Sequence, residues 1–157
     1  ALDAAIHDQK DDIVDYILDN KGKQFNIDSV CTSIVNLNYK VLNRTLDIIY
    51  DNPNGFDSDG ITPLMMACKM NFINGAKAIL GIKNVNVNEV DKFNSTALHY
   101  AVMANAIRIV SELSSYEGID FSIKDVNKQT ALDLAYNNGF EKCAQIIKDK
   151  QKSCNIY

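Results

Sequence analysis

An all-α fold, made by stacking a repeated pair of helices, is what this sequence predicts, and three observations predict it. The segments TPLMMACKMN from Thr62, TALHYAVMAN from Thr96 and TALDLAYNNG from Thr130 recur about every 34 residues, a period that signals a solenoid. Each is followed by a second apolar-periodic run: Ile79-Leu80, then Ile109-Val110 with Leu113, then Ala144 with Ile146-Ile147. And Pro 2 with Gly 7 in 157 residues is too little loop punctuation for a many-stranded β fold.

Each element of the unit has a local reason. Asp57, Asp91 and Asp125 stand five residues before the threonines and mark a turn. Within that turn Gly60, Asn94 and Lys128 occupy one position. Glycine is at ease at positive φ and asparagine tolerates it, whereas lysine is strained there, so the last turn is expected to be looser. Threonine then caps the first helix by accepting a backbone N–H, and Pro63 suits the first helical turn. Leu64, Leu98 and Leu132 share a face with Ala67, Ala101 and Ala135, whose small side chains let the next helix approach. The first helix stops at Asn71, Asn105 and Gly139, residues that accept the left-handed conformation of a helix C-terminus. The alternating stretch NVNVNEVD before the second of these turns reads as the stem of a projecting hairpin.

The unit resembles the ankyrin repeat, whose signature T-P-L-H-x-A opens two antiparallel helices. The resemblance extends upstream with weaker lettering. Leu2, Ala5, Ile13-Val14 and Ile17-Leu18 keep the offsets of a first repeat, and Val30, Ser33, Val41-Leu42 and Thr45-Leu46 those of a second. It implies an ankyrin-repeat helical solenoid with short β-hairpin fingers, one domain over 1–150, with repeats at about 1–26, 27–54, 55–88, 89–122 and 123–150 and a tail at 151–157. Leu2 and Val30 are only about 28 residues apart, so the finger after Asn26 is expected to be truncated. The last helix, EKCAQIIKDKQK, is polar on most positions and reads as a closing cap.

Composition narrows the function. Apolar residues are 46% and charged residues 23%, as in soluble globular proteins. A formal charge of -4 with no basic stripe argues against nucleic acid, and no apolar run is long enough for membrane insertion. The acidity is concentrated at the start, where Asp3, Asp8, Asp11, Asp12, Asp15 and Asp19 face Lys10 alone; the simplest reading is a solvated helix face. Cys31, Cys68, Cys143 and Cys154 form no CxxC pair and no matched ligand spacing, so reduced thiols, no metal, no cofactor and an intracellular, cytoplasmic setting are expected. The chain opens on Ala1 rather than Met, so a piece of something longer is expected.

His99 and His7 are the histidines. His99 follows the leucine of the second segment, where the family's histidine bridges backbone groups around the threonine and the adjoining loop; Met65 and Asp133 hold the equivalent places. A catalytic imidazole needs a nucleophile or carboxylate partner in a cleft. No phosphate loop, paired acid/base carboxylates or nucleophile elbow accompanies it, so His99 is expected to be structural and the chain no enzyme. His7 reads as an exposed helix residue.

The resemblance therefore implies a non-enzymatic protein–protein interaction or scaffolding module, a monomer that binds a partner protein through its fingers and inner helices. The alternative is a targeting or regulatory arm cut from a larger enzyme such as a kinase or acyltransferase. The family's variable contact positions carry over onto Phe56, Ser58, Asp59, Ile61, Lys69 and Met70 in the third repeat. The fourth supplies Val90, Lys92, Phe93, Ser95, Met103 and Ala104, and the fifth Lys124, Val126, Asn127, Gln129, Asn137 and Asn138. The partner-binding set is expected to centre on Phe56, Asp59, Ile61, Met70, Val90, Lys92, Phe93 and Met103. Phe56, Ile61, Met70, Phe93 and Met103 either form one exposed apolar patch or, for the two phenylalanines, fold back between the fingers.

Overall fold

The computed structural model describes residues 52–154. Expectations that fall on residues 1–51, among them the first two repeats, the shortened link, the aspartate-rich helix, His7 and Cys31, lie outside the described residues, as does the end of the tail.

Among the described residues six helices follow one another as three pairs: α1 (Pro63–Lys69) with α2 (Ile73–Leu80), α3 (Ala97–Met103) with α4 (Ile107–Ser114), and α5 (Ala131–Asn137) with α6 (Glu141–Cys154). The first helices α1, α3 and α5 pack in one row and α2, α4 and α6 in another. The fold is the all-α solenoid that the 34-residue period predicts.

The helix boundaries follow the expected chemistry. The Oγ1 atoms of Thr62, Thr96 and Thr130 accept the backbone N–H three residues on, at 3.2, 3.4 and 3.1 Å. The stops are complete Schellman motifs. Asn71, Asn105 and Gly139 have φ of 51, 48 and 70°. Their N–H groups reach back to the carbonyls of Cys68, Val102 and Tyr136, and the next residues, Phe72, Ala106 and Phe140, donate to Ala67, Ala101 and Ala135. Those same three alanines are fully buried. The small residue thus serves twice, as the site of close helix approach and as the carbonyl that turns the chain. One core runs through all three pairs, anchored by Leu64, Ile79, Leu98, Ile109, Leu113 and Ile147, each worth about 1.5–3 kcal/mol on burial.

The projecting fingers are hydrogen-bonded turns, and no strand forms among the described residues. In each, the aspartate N–H donates to the carbonyl four residues on (Asp57 to Ile61, Asp91 to Ser95, Asp125 to Gln129) at 2.9–3.1 Å. The carboxylate Oδ1 accepts two N–H groups of the same turn, those of Asp59 and Ile61, of Phe93 and Ser95, and of Asn127 and Gln129. Gly60, Asn94 and Lys128 have φ of 81, 56 and 61°. The looser turn expected at Lys128 is not found. Lys128 donates to Asp125 at 2.9 Å and the carboxylate keeps both of its bonds, and this shared scaffold offsets the strain of a β-carbon at positive φ. At Gly60 a side chain would meet a second obstacle, since a Cβ there would lie 3.2 Å from the Asp91 Cα in the next turn.

Successive turns are joined backbone to backbone, Lys92 N–H to Asp59 and Val126 N–H to Phe93. Asparagines tie the loops behind them. Asn54 donates to the Asn84 carbonyl and accepts the Asn86 N–H; about 34 residues on, Asn88 repeats this with Gly118 and Asp120. Val85 and Val87 of the alternating stretch point into the core while Asn86 stays exposed. Helix α6 also differs from expectation: it continues through residue 150, where the tail was placed, as far as Cys154.

Candidate functional site

His99 is buried, and both ring nitrogens are committed. Nδ1 accepts the Thr96 N–H at 3.2 Å and lies 2.8 Å from Thr96 Oγ1; Nε2 lies 3.1 Å from the Gln129 carbonyl, to which it donates. The neutral tautomer with its proton on Nε2 fits these partners. Burial lowers its pKa against the opposing pull of the Gln129 carbonyl and of Asp125 and Asp91. The ring completes a capping box and ties the α3 cap to the following turn. Asp133, at the same place in the last unit, keeps the capping box by accepting from Thr130 N–H and Oγ1, which lowers its pKa. It makes no onward bridge of this kind. Asp91 is likewise spoken for, taking the Tyr100 hydroxyl on Oδ2 at 2.5 Å beside its two turn bonds. With both ring nitrogens and both carboxylate oxygens engaged by fixed protein partners in buried residues, His99 and Asp91 serve the architecture of the cap and turn.

The fingers and first helices present a different chemistry. Phe56 is 66% exposed, Phe93 51%, Met103 46% and Val90 40%. The two phenylalanines therefore do not fold back between the fingers. Phe93 sits near the apex of its turn, its N–H held by Asp91, with the Lys92 ammonium 5.2 Å from its ring centroid. Lys92 also pairs with Asp59 across the two turns, both ends exposed. Met70 is half-buried, and Lys69 lies 5.8 Å from the ring of Tyr100.

Ile61 does not join them. It is 7% exposed, packed into the core, because the fourth residue after the turn aspartate returns toward the helices. The equivalent Ser95 is buried and Gln129 half-buried, so this position faces inward in every described unit.

Two further exposed apolar residues complete the set, Val126 at 59% and Tyr136 at 55%. Val126 belongs to the contact positions but not to the central set. Tyr136 escaped the sequence reading: its equivalents Cys68 and Val102 are fully buried against the next unit, and Tyr136 is bare where no described unit follows. All the exposed large apolar residues among those described lie in the fingers or on α3 and α5, and α2, α4 and α6 contribute none.

Between the Asp57 and Asp91 turns lies an open cleft of about 330 Å³, lined by Phe56, Ser58, Asp59, Gly60, Thr62, Glu89, Val90, Asp91 and Lys92. Among the described residues no group of three His, Cys, Asp or Glu is arranged to hold a metal ion, and no helix is long and apolar enough to cross a membrane. The Cys68 and Cys143 thiols are free, buried, and pushed above the ordinary thiol range by desolvation.

Comparison with known proteins agrees with this architecture. The chain is similar to alpha-latrotoxin-Lg1a of Latrodectus geometricus, 32% identical over 91 residues that cover 57% of this chain and 7% of the toxin. It is also similar to alpha-latrotoxin-Lt1a of Latrodectus tredecimguttatus, 34% identical over 68 residues, covering 43% of the chain and 5% of that protein. Human transient receptor potential cation channel subfamily A member 1 is 30% identical over 98 residues, 60% of the chain and 8% of the channel subunit. The chain thus spans less than a tenth of the length of these relatives. The model of the family described as Ankyrin repeats (3 copies) matches residues 32–125 and again 73–157. With three capped helix pairs, three aspartate turns and this match over most of its length, the chain belongs to the ankyrin-repeat family.

Proposed function

We propose that this chain is a protein–protein interaction module and not a catalyst, as ankyrin repeats in general are, and that it binds a partner protein through its fingers and first helices, around Phe56, Asp59, Met70, Val90, Lys92, Phe93 and Met103. The observation that carries the reading is the one-sided distribution of exposed apolar side chains: six on the finger and first-helix side, none on the second helices among the described residues. Exposed apolar surface is normally scattered, and its concentration on one side marks an interaction site. Phenylalanine and methionine are also side chains enriched in interface cores. The buried free thiols favour an intracellular setting.

The test is capture of partners from a lysate of the source cells, followed by cross-linking. Phe93→Ala should weaken binding by about tenfold or more while leaving the helical circular dichroism intact, as expected of an interface anchor. Asn137→Ala, a polar position on α5, should change affinity little. Capture that is indifferent to Phe93 and Met70, with cross-links falling on the second helices, would refute the assignment.

A second reading has its own support. The relatives carry their matched stretch as a small part of a much longer polypeptide. This favours a repeat array that acts as an arm of a longer protein, and the full-length reading frame tests it.

A further inference from the structure

The cleft between the Asp57 and Asp91 turns has a charge that the repeat unit does not account for. Three carboxylates, Asp59, Glu89 and Asp91, line it against one cation, Lys92, and that cation is already engaged by Asp59. About 34 residues on, Phe93, Ile123 and Val126 replace Asp59, Glu89 and Lys92, and Lys124 replaces Val90. The acidity is therefore particular to this cleft and not a by-product of the turn, which needs only Asp57, Asp91 and Asp125.

We propose that this cleft receives an extended peptide segment of the partner protein that sets a basic side chain, arginine or lysine, beside an apolar one. The inference rests on the binding-module reading and names the chemistry of what is bound. Three features of the cleft favour that occupant. Its volume, about 330 Å³, is on the scale of a small ligand pocket, enough for a few side chains and not for a folded element. Its walls include Phe56 and Val90, two of the six exposed large apolar residues among those described, which an aliphatic side chain would cover. And its carboxylates are not equally used. Asp91 is buried and already accepts three bonds, whereas Glu89 holds one described partner, Asn86, on Oε1. An ionised carboxylate has about four lone-pair sites, so Glu89 and Asp59 retain capacity for an arginine fork or an ammonium group. The Tyr100 hydroxyl at the back of the Asp91 turn registers the same field: burial is the main cause of its raised pKa, with Asp91, Asp57 and Asp59 adding to it. An acidic segment, including the aspartate-rich residues 1–20 of this chain, carries the wrong sign.

The experiment is selection from a random peptide library on the intact chain. Selected peptides should be enriched in arginine or lysine next to leucine, isoleucine, valine or methionine. Synthesised and labelled, the best of them should lose affinity by about tenfold on Glu89→Lys, a reversal of charge at the site, and regain it in part when their basic residue is changed to glutamate. Glu117→Lys, an exposed carboxylate outside the cleft, should leave binding unchanged. Circular dichroism of each variant should match the parent chain. Peptides without basic preference, peptides indifferent to Glu89→Lys, or a library that yields no binder would overturn the proposal. So would sedimentation showing a dimer that Glu89→Lys dissolves, since the occupant would then be a second copy, through the lysines of α6. These failures leave the module reading intact as long as partner capture stays sensitive to Phe93→Ala. If that sensitivity is absent as well, both readings fall together.

Discussion

Replacing His99 by alanine removes a ring that three backbone or side-chain groups lean on. The Thr96 N–H loses its acceptor at 3.2 Å in a residue that is itself buried, and a buried donor left unmade costs about 1–3 kcal/mol. The Gln129 carbonyl, in a half-buried residue, can take water instead. The vacated ring volume in an almost fully buried site adds about 2 kcal/mol at the low end of large-to-small core changes. The sum is about 3–5 kcal/mol, a large share of the roughly 5–15 kcal/mol of a typical domain. Urea and thermal unfolding followed by far-ultraviolet circular dichroism measure it directly. The pH dependence gives an independent check. His99 has a lowered folded-state pKa, so the unfolded chain binds its proton first as pH falls. The stabilising contribution is complete above the unfolded value near 6.5 and declines as pH drops from there through the lower folded value. The parent chain should therefore lose stability between about pH 7 and pH 5 more steeply than His99→Ala, above the range where carboxylates titrate. His7→Ala serves as the control for the other histidine. A cost below about 0.5 kcal/mol, or a parent chain that gains stability on acidification, would refute the bridging role.

Three other outcomes follow from the same geometry. Lys128→Gly relieves a β-carbon at φ 61° and should raise stability by up to about 1 kcal/mol in urea titrations, the strain removed exceeding the entropy added to the unfolded chain. Asn88→Ala cuts its bonds to Gly118 and Asp120 and should cost about 1–2 kcal/mol, with faster amide exchange at the Asp120 N–H. The Cys68 and Cys143 thiols should resist a thiol reagent in the native chain and react on unfolding, and reducing agent should leave the melting temperature unchanged.

What the sequence shows well is whatever depends on a single residue type at a fixed backbone conformation. Thr62, Thr96 and Thr130 are caps because a short side chain with an acceptor oxygen does that work. Asn71, Asn105 and Gly139 are stops because few residues tolerate positive φ. Lys128 departs from expectation for the same reason in reverse. Propensity describes a residue alone, and here the Asp125 carboxylate and backbone bonds outweigh it. Burial was less legible where it depends on the direction of return of the chain. Ile61 sits among exposed neighbours in sequence, but the turn carries it inward. The asparagine ties were visible as Asn54 and Asn88 in register, yet their meaning depends on Asn84, Asn86, Gly118 and Asp120 being brought opposite them. Tyr136 depends on what stands beyond it, which no local pattern encodes.

Bonds between units join neighbours: Asn54 to Asn84 and Asn86, Asp59 to Lys92, Lys77 to Glu112, Asn88 to Gly118 and Asp120, Phe93 to Val126, His99 to Gln129. Mechanically this is a row of springs in series. A pull applied to one finger by a bound partner is felt at full strength at every boundary between it and the anchored end, and the softest boundary yields first. The α3–α5 boundary has the buried His99 latch, whereas at the α1–α3 boundary the same place holds the side chain of Met65, which has no such polar reach. Salt screens the exposed Asp59–Lys92 and Lys77–Glu112 pairs across the α1–α3 unit boundary but not the buried His99 latch. Under tension at high salt the array should therefore open there before it opens between α3 and α5, and that is the boundary on which the acidic cleft lies.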